Sequence, residues 1–337
     1  MTGLLAVVGA LVAVNVAFAV VVVMLRIRSN VRARRFGRIE ARWEPVIIGY
    51  IGGDDEVPPV PEKEVRHVLE IAGRFARRLR GPDRERVQKF SAPLVGALLD
   101  GLTERSPEKR SAAIELLSVL ALEQHGDRIV PILDDPVPRV SLVAARALSN
   151  PGYPQYTAAV LERMHRYSTW SSSLMSSMLA EAGAGARADL RRYLGDETRP
   201  VFGRVVVAGS LRLLSDPESA TIAADALDSN DPDLVLSCLR LIDVVGSQTH
   251  ANAVRPLLDH SAFFVRAETV TVLSHVGAPS DVPAIARMIH DDSPWVAIRC
   301  ARALLTLGQR HMLQDLAAGV GLAADSAREV LHGEELR

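Results

Sequence analysis

The chain has 337 residues, a formal net charge of −1 and an aromatic content of 4%. Residues 26–42 carry seven arginines and one glutamate, a net charge of +6, which leaves −7 for the rest of the chain. A mildly acidic remainder argues against a nucleic-acid groove, because such a groove needs a basic stripe to neutralise phosphates.

Residues 1–25 contain no charged side chain, and Gly3 to Leu25 is a run of 23 predominantly apolar residues. A helix of that length extends roughly 34 Å, enough to cross a hydrocarbon core of about 30 Å. The alternative is a cleaved signal peptide, for which Ala17-Phe18-Ala19 supplies a small-x-small pattern. A signal peptide carries positive charge ahead of its apolar run, and no basic side chain precedes Arg26. We therefore predict a transmembrane anchor over residues 1–25.

Arginines follow the apolar run immediately. They are Arg26, Arg28, Arg32, Arg34, Arg35, Arg38 and Arg42. The positive-inside rule places such a cluster in the cytoplasm. It predicts a single-pass protein of the inner (plasma) membrane, with the N-terminus outside and the remainder cytoplasmic. The cluster either flanks the span without binding a particular lipid or contacts anionic lipid headgroups near Arg26–Arg42.

Prolines and glycines dominate Trp43 to Pro61 and predict a segment without a continuous helix. Residues 26–61 are therefore interpreted as a basic juxtamembrane segment followed by a spacer, with a helical domain over residues 62–337. Trp43 to Ile48 is too apolar for a simple linker. This stretch either lies at the membrane interface, which favours tryptophan, or docks on the first repeat.

A pattern that returns about every 31 residues fills most of the remaining chain. Frame starts, numbered as position 0, fall at Lys109, Val140, Ser171, Gly203, Leu234, Val265 and Val296. Position 8 is a branched aliphatic residue in all seven repeats. A fixed period of this size indicates a solenoid, in which each unit buries its apolar face against its neighbours.

Each period predicts a helical hairpin. An apolar segment with helical spacing precedes each frame start, and a turn rich in Asp, Ser and Pro follows it. Asp231 or Ser293 is placed to cap the next helix, with proline at the first helical position. The second helix then presents positions 0, 4, 7 and 8 on one buried stripe. Glycine at position 12, as in Gly246 and Gly277, suggests a left-handed helix end.

The repeats resemble short bacterial HEAT repeats of the phycobilin-lyase type. The resemblance rests on strings such as Asp291 to Gly308 and on the Val265-Arg266 pair, and it covers roughly Leu94 to Leu331. It implies an all-α, HEAT-like α-solenoid of about seven to eight hairpins. In HEAT-like folds the second helices line the concave side.

The whole chain also resembles bacterial membrane-anchored proteins with HEAT-repeat domains. An uncharged N-terminal segment, arginines, a Trp-x-Pro stretch, a proline-rich spacer and a variant repeat over Trp170 to Gly183 carry this resemblance. Members are often encoded beside membrane glycosyltransferases. The resemblance implies an accessory role in an envelope polysaccharide system, with a membrane-associated protein as the partner.

Catalytic motifs are missing from the sequence. Deoxyhypusine hydroxylases, a HEAT-like family, carry His-Glu pairs that bind iron, and none of the nine histidines here is followed by glutamate. His260 and His290, with neighbouring aspartates, suit helix capping better than a metal site. We predict no catalytic residue, cofactor or metal. The alternative is a degenerate HEAT-like enzyme, similar to a phycobilin lyase or a metal-dependent hydroxylase.

Two groups of residues are candidates for partner contact. Position 6, which faces away from the buried stripe, carries Arg146, Arg240 and Arg302, suited to acidic groups or simply to solvation. The irregular third repeat supplies Tyr167 and Trp170, followed by a serine-rich helix. Trp170 acts either as a contact anchor or as filler beside the small serines. We predict a membrane-tethered scaffold that binds a protein partner and no nucleic acid.

Overall fold

A computed structural model of the protein describes residues 36–335 and the isolated residues 18, 23, 24 and 26. These residues include helices, turns and bends but no strand. The predicted span over residues 1–25 lies outside the described residues except for three isolated positions, and so do Arg28, Arg32, Arg34 and Arg35. No helix in the described residues has both the length and the apolarity of a membrane span.

The chain divides into two compact units, Met1–Ile129 and Val130–Arg337. In the described part of the first unit, residues 36–51 belong to a helix, α1. The helices that follow are α2 (Glu62–Arg78), α3 (Gly81–Ser91), α4 (Gly96–Gly101), α5 (Pro107–Leu120) and α6 (Leu122–His125). Helix α2 packs against α3 and α5 through an apolar face that includes Val68, Leu69 and Ile71. The division at Ile129 falls inside the range predicted as one solenoid domain.

Helix α1 occupies the start of the segment interpreted as a spacer. Ile39, Trp43 and Ile47 are spaced four residues apart and are buried on one stripe. Trp43 Nε1 donates to Glu64 Oε2 of α2 at 2.7 Å. Three buried apolar side chains offset the hydrogen bond that Pro45 removes, so the helix continues through the proline. The stretch packs against α2, which precedes the first repeat. The non-helical segment begins after residue 51, so the prediction of no continuous helix is wrong for residues 43–51.

The second unit consists of helical hairpins. Their first helices are α8 (Thr157–Glu162), α10 (Arg187–Gly195), α12 (Ser219–Asp225), α14 (Ala251–Val254), α16 (Val282–Arg287) and α18 (Arg310–Ala317). Their second helices are α9 (Ser172–Ala180), α11 (Val201–Leu213), α13 (Pro232–Val245), α15 (Phe263–Val276), α17 (Pro294–Thr306) and α19 (Leu322–Glu335). Helix α7 (Pro138–Leu148) is the second helix of a hairpin whose first element is the 3₁₀ segment Val130–Asp134.

Successive hairpins stack in two layers. Each second helix from α9 to α17 contacts the next, and the first helices from α8 to α14 do the same. Contacts between second helices join residues about one repeat apart, as in Asp243 with His275 and Thr271 with Arg299. The second helices are therefore parallel and in register. This arrangement confirms the predicted α-solenoid of hairpins for the second unit.

Burial follows the repeat frame closely. Every residue at positions 4, 7 and 8 is buried in all seven repeats, including Thr269 and Cys300 at position 4. Position 0 is less uniform, because Lys109 and Ser171 are exposed. Lys109 forms an ion pair with Glu104, and Ser171 stands just before its helix begins. The predicted stripe is therefore confirmed at positions 4, 7 and 8 and wrong at position 0 in these two repeats.

The predicted helix boundaries hold in part. Prolines begin α5, α7, α13 and α17, and Asp231 Oδ1 accepts from the backbone of Asp233 and Leu234 at 3.0 Å. Ser293 makes no capping bond with its side chain, because Asp291 Oδ1 already accepts from Ser293 N at 2.9 Å and shapes that turn.

The glycines at position 12 match the prediction in part, because Gly183 and Gly308 have positive φ of 73° and 74°. Gly246 and Gly277 have negative φ, so they are not left-handed. At each of them a Cβ would overlap the carbonyl oxygen four residues earlier, and this close approach of the backbone requires glycine.

Candidate partner-binding surfaces

The exposed side of the second helices carries a set of charges that runs through consecutive repeats, which we call the charged face. It consists of Arg212 on α11, Arg240 and Asp243 on α13, Glu268 on α15, and Arg299 and Arg302 on α17. Four arginines stand against two carboxylates, so the charged face has a net positive charge. The predicted position-6 residues Arg240 and Arg302 belong to it and are exposed.

Glu268 lies at the centre of the charged face. Its side chain is 13% exposed, and its nearest described cation is Arg240, with Nε 3.9 Å from Glu268 Oε1. Burial raises the pKa of Glu268, and the positive charges of Arg240 and Arg299 oppose that rise. At 3.9 Å the pair is an ion pair without a tight hydrogen bond, so the carboxylate keeps acceptor capacity for a further donor.

Polar contacts orient the neighbours of Glu268. His275 Nδ1 lies 2.6 Å from Asp243 Oδ1, and Arg299 Nη1 donates to Thr271 Oγ1 at 3.3 Å. Each contact links two consecutive second helices, and the side chains involved remain partly or largely exposed. The charges are thus positioned by the fold while remaining accessible from solvent.

The other position-6 arginines lie toward the two ends of this row. Arg146 on α7 is exposed and its Nη2 lies 4.0 Å from Glu181 Oε1, just beyond α9. Arg302 borders an open cleft of about 570 Å³ between α17 and α19, whose lining includes Glu329 and Glu334. Both arginines are accessible to a partner, as the sequence predicts, while their role in binding stays a prediction.

Tyr167 is not a surface residue. It is 1% exposed, and its hydroxyl lies 2.8 Å from Ser141 Oγ and donates to the Ser141 carbonyl at 3.2 Å. Burial raises the pKa of Tyr167, and the bond with Ser141 opposes the rise. The sequence interpretation of Tyr167 as a contact residue is therefore wrong, because an apolar ring with a satisfied hydroxyl fills the space beside α7. Trp170 is partly exposed and remains a candidate.

The serine-rich helix α9 packs against α11 through hydrogen bonds. Ser176 Oγ donates to Val206 O at 2.8 Å, and Ser210 Oγ donates to Ser176 O at 3.1 Å. A Cβ on Gly209 would overlap the Ser176 hydroxyl, so the two helices approach closely at this point. These bonds compensate the poor helix propensity of serine.

Position 1 of the repeats carries a contact that sequence reasoning missed. In four of the seven repeats, its side chain donates to a carbonyl at the end of the first helix of the same repeat or in the turn that follows. The contacts are Arg110 Nη1 to Glu104 O at 2.9 Å, Ser141 Oγ to Leu133 O at 2.6 Å, Arg204 Nε to Leu194 O at 2.9 Å and Arg266 Nη1 to His260 O at 2.9 Å. Serine and arginine side chains both make this bond to a helix-end carbonyl, so a search for arginine alone at position 1 does not find it.

Within residues 36–335 and the isolated described positions, no group of three His, Cys, Asp or Glu side chains is arranged to hold a metal ion. His260 Nδ1 accepts from Ala262 N at 3.0 Å, a bond within the turn before α15, and no side chain caps that helix. Cys238 and Cys300 are unpaired and buried, and burial raises the pKa of each thiol to about 12. Both thiols stay protonated at neutral pH and are poor nucleophiles and metal ligands.

Comparisons with known proteins return helical folds and no family. No protein-family model and no curated protein matches the chain. Similar solved structures include human deoxyhypusine hydroxylase, with 17% identity over 73% of this chain and 98% of that one and a TM-score of 0.33. The karyopherin Kap121p bound to RanGTP has 10% identity over 80% of this chain and 41% of that one, with a TM-score of 0.39.

An engineered protein is also similar, with 14% identity over 81% of this chain and 80% of that one and a TM-score of 0.37. Likeness at this level carries no argument about activity or partners. The α-solenoid assignment therefore rests on the helix contacts of the second unit, and membership of the HEAT family stays a prediction.

Proposed function

We propose that the protein is a scaffold that binds a protein partner through the charged face of its second unit. The observation that carries the proposal is Glu268, a carboxylate among Arg212, Arg240 and Arg299 that is mostly removed from water. Its raised pKa means that the fold loses stability by keeping this group ionised at neutral pH. A mostly buried carboxylate that works against folding, on a face lined with accessible arginines, favours a binding function.

The excess of arginine on the charged face suits a partner with an acidic surface. Charge complementarity of this kind speeds association and orients the encounter. Replacing Arg146, Arg240 and Arg302 together with glutamate should leave the unit folded, because all three are exposed. Partner capture by the full chain, measured by crosslinking in native membranes followed by purification, should fall.

A matched control is available on the first-helix side. Arg166 and Arg192 are exposed arginines away from the charged face, and their replacement with glutamate makes the same change in net charge as replacement of Arg240 and Arg302 alone. We expect this control to capture the wild-type set of proteins. Equal loss in the two double variants would show a general charge effect and would contradict the proposed surface.

We further propose that residues 1–25 anchor the protein in the inner membrane and that the solenoid is cytoplasmic. The arginine cluster after residue 25 supports this topology. A membrane-associated partner and an accessory role in an envelope polysaccharide system follow from the same layout. A reporter fused after Arg337 should be active in the cytoplasm, and the chain should stay in the membrane fraction. Activity outside the membrane together with processing near Ala19 would contradict the topology.

The competing class is a metal-dependent enzyme, and we propose that the chain is not one. Purified full-length protein, extracted in detergent, should contain no stoichiometric transition metal by elemental analysis. Iron at one or two atoms per chain would overturn this part of the proposal, whereas the result of the charge-reversal experiment would not depend on it.

A further inference from the structure

A second surface lies along one edge of the second unit, at the turns that lead into the second helices. Because the second helices are parallel and in register, all their first residues lie at this edge, which we call the turn edge. Neighbouring helix starts are about 8 to 10 Å apart, the usual distance between packed helices. Side chains at equivalent positions therefore form a continuous row.

Aromatic residues occupy this row. The residue just before the frame start is Trp170, Phe202, Phe264 or Trp295 in four of the five repeats from α9 to α17. Aromatic residues make up only 4% of the chain, so their recurrence at one position sets the edge apart from the rest of the surface.

Exposure is greatest toward the C-terminal end of the turn edge. Trp295 is 68% exposed, Phe263 is 44% exposed, and Val320 in the turn before α19 is 96% exposed. Trp170, Phe202 and Phe264 are partly exposed. Large aromatic side chains left in water on consecutive repeats are typical of a contact surface.

The charge of the turn edge is opposite to that of the charged face. The turns over residues 228–233, 259–264 and 290–295 contain six aspartates and no lysine or arginine. Arg287 pairs with Asp259, and Arg266 pairs with Asp291. The other four form no salt bridge with any described residue. They are Asp228, Asp231, Asp233 and Asp292.

We infer that the turn edge binds a protein segment that combines lysine or arginine with apolar side chains. Cations are attracted both to the faces of Trp295 and Phe264 and to the neighbouring aspartates, while apolar side chains cover the exposed rings. A membrane is the other surface that accepts tryptophan and phenylalanine. The aspartates disfavour it, because the cytoplasmic leaflet is itself negative. The inference does not rest on the charged face, which selects the opposite charge.

The test uses the full chain in nanodiscs of zwitterionic lipid and two labelled amphipathic peptides of about 18 residues, or five helical turns. One peptide is built from lysine and leucine, and the other carries glutamate in place of lysine. Fluorescence anisotropy should show binding of the lysine peptide, weakened by added salt, and little binding of the glutamate peptide. Equal binding of both peptides would overturn the inference.

Variants locate the binding. Trp295→Ser should weaken binding of the lysine peptide about tenfold or more, as expected for loss of an exposed aromatic anchor. Asp292→Lys should weaken it without removing any apolar surface. The control is Val244→Ser, an exposed apolar residue that is 51% exposed near the other end of the second helices, and it should change the affinity less than about twofold.

Two results would contradict the inference. The first is an unchanged affinity in both Trp295→Ser and Asp292→Lys. The second is binding to anionic phosphatidylglycerol vesicles that Trp295→Ser abolishes while the lysine peptide still binds, which would assign the turn edge to a membrane surface.

Discussion

Two contacts between neighbouring second helices use different physical chemistry within one unit. Helix α9 meets α11 through serine hydroxyls that donate to backbone carbonyls, with Gly209 allowing close approach. The buried faces of α15 and α17 are apolar, with Val272, Leu273 and Leu304 among their residues. The repeat therefore constrains the spacing of buried positions more strongly than it constrains the residues that fill them. Helices of low intrinsic propensity are accommodated where hydrogen bonds replace apolar burial.

The largest expected effect is on the apolar contact. Leu273→Ala in α15 should lower the free energy of unfolding by about 2 to 5 kcal/mol, because a buried leucine is removed between helices that cannot fully collapse. Hydrogen exchange should speed up in α13, α15 and α17 and stay unchanged in α9, since stability in a repeat array is carried between neighbours. Unchanged exchange over residues 265–304 would contradict the repeat frame.

The polar contact is broken by adding a single methyl group. Gly209→Ala should lower the free energy of unfolding by about 1 to 3 kcal/mol, because the new Cβ overlaps the Ser176 hydroxyl. The matched control is Gly333→Ala in α19, where a Cβ meets nothing within 4 Å. There alanine should stabilise the helix by up to about 1 kcal/mol. Urea unfolding of the two variants measures both values, and equal destabilisation would show that α9 and α11 are not closely packed.

The apolar contact between α15 and α17 can be predicted from the sequence, whereas the polar contact between α9 and α11 cannot. A period of 31 residues identifies Leu273 and its equivalents as buried, because burial on one helix face imposes regular spacing. The partners of Ser176 are 30 and 34 residues away, and hydroxyl bonds to the backbone leave no residue pattern. The burial of Tyr167 cannot be seen in the sequence for the same reason, since its hydrogen-bond partner Ser141 is remote in sequence.

Helix α1 shows a different source of error. The prolines and glycines of this stretch favour the prediction of a non-helical segment. The helical spacing of the buried residues Ile39, Trp43 and Ile47 indicates a helix instead, and the helix is what forms. Of the charged face, the sequence revealed the arginines at position 6. The sequence analysis did not identify Glu268. It lies 28 residues after Arg240, and residues about one repeat apart are brought together when helices stack in parallel and in register.

An ion pair between two of the regular repeats predicts that the stability of the protein falls in acid. Arg266 donates to Asp291 at 2.7 and 2.8 Å, and this hydrogen bond holds the pKa of Asp291 below its ordinary value of 3.8. The stabilisation is therefore present above the unfolded pKa and lost as the pH falls through the folded one. Asp291→Asn should cost about 1 to 2 kcal/mol at neutral pH. Urea midpoints that differ equally at pH 7 and pH 2 would contradict this account.

The smallest expected effect is an increase in the free energy of unfolding, whereas the substitutions at Leu273, Gly209 and Asp291 lower it. Burial raises the pKa of Glu268, so its stabilising contribution is present below the unfolded pKa and lost as the pH rises through the folded one. Glu268→Gln should therefore raise the free energy of unfolding at neutral pH by less than about 1 kcal/mol, seen as a higher urea midpoint, and leave it unchanged in acid. A stabilised variant with weaker partner capture would separate the folding role of this residue from its binding role. A destabilised variant would contradict the raised pKa.

The position-1 donors have a mechanical consequence for the second unit. Ser141, Arg204 and Arg266 each bond to a carbonyl within their own hairpin, and some of the contacts from one hairpin to the next, such as Asp134 with Arg163 and Asp259 with Arg287, lie at more exposed sites. Under a pulling or twisting load, the hairpins should act as stiff links and the surfaces between them as the compliant joints. Such an array changes curvature by small slips at many joints, so the second unit can bend without any hairpin unravelling.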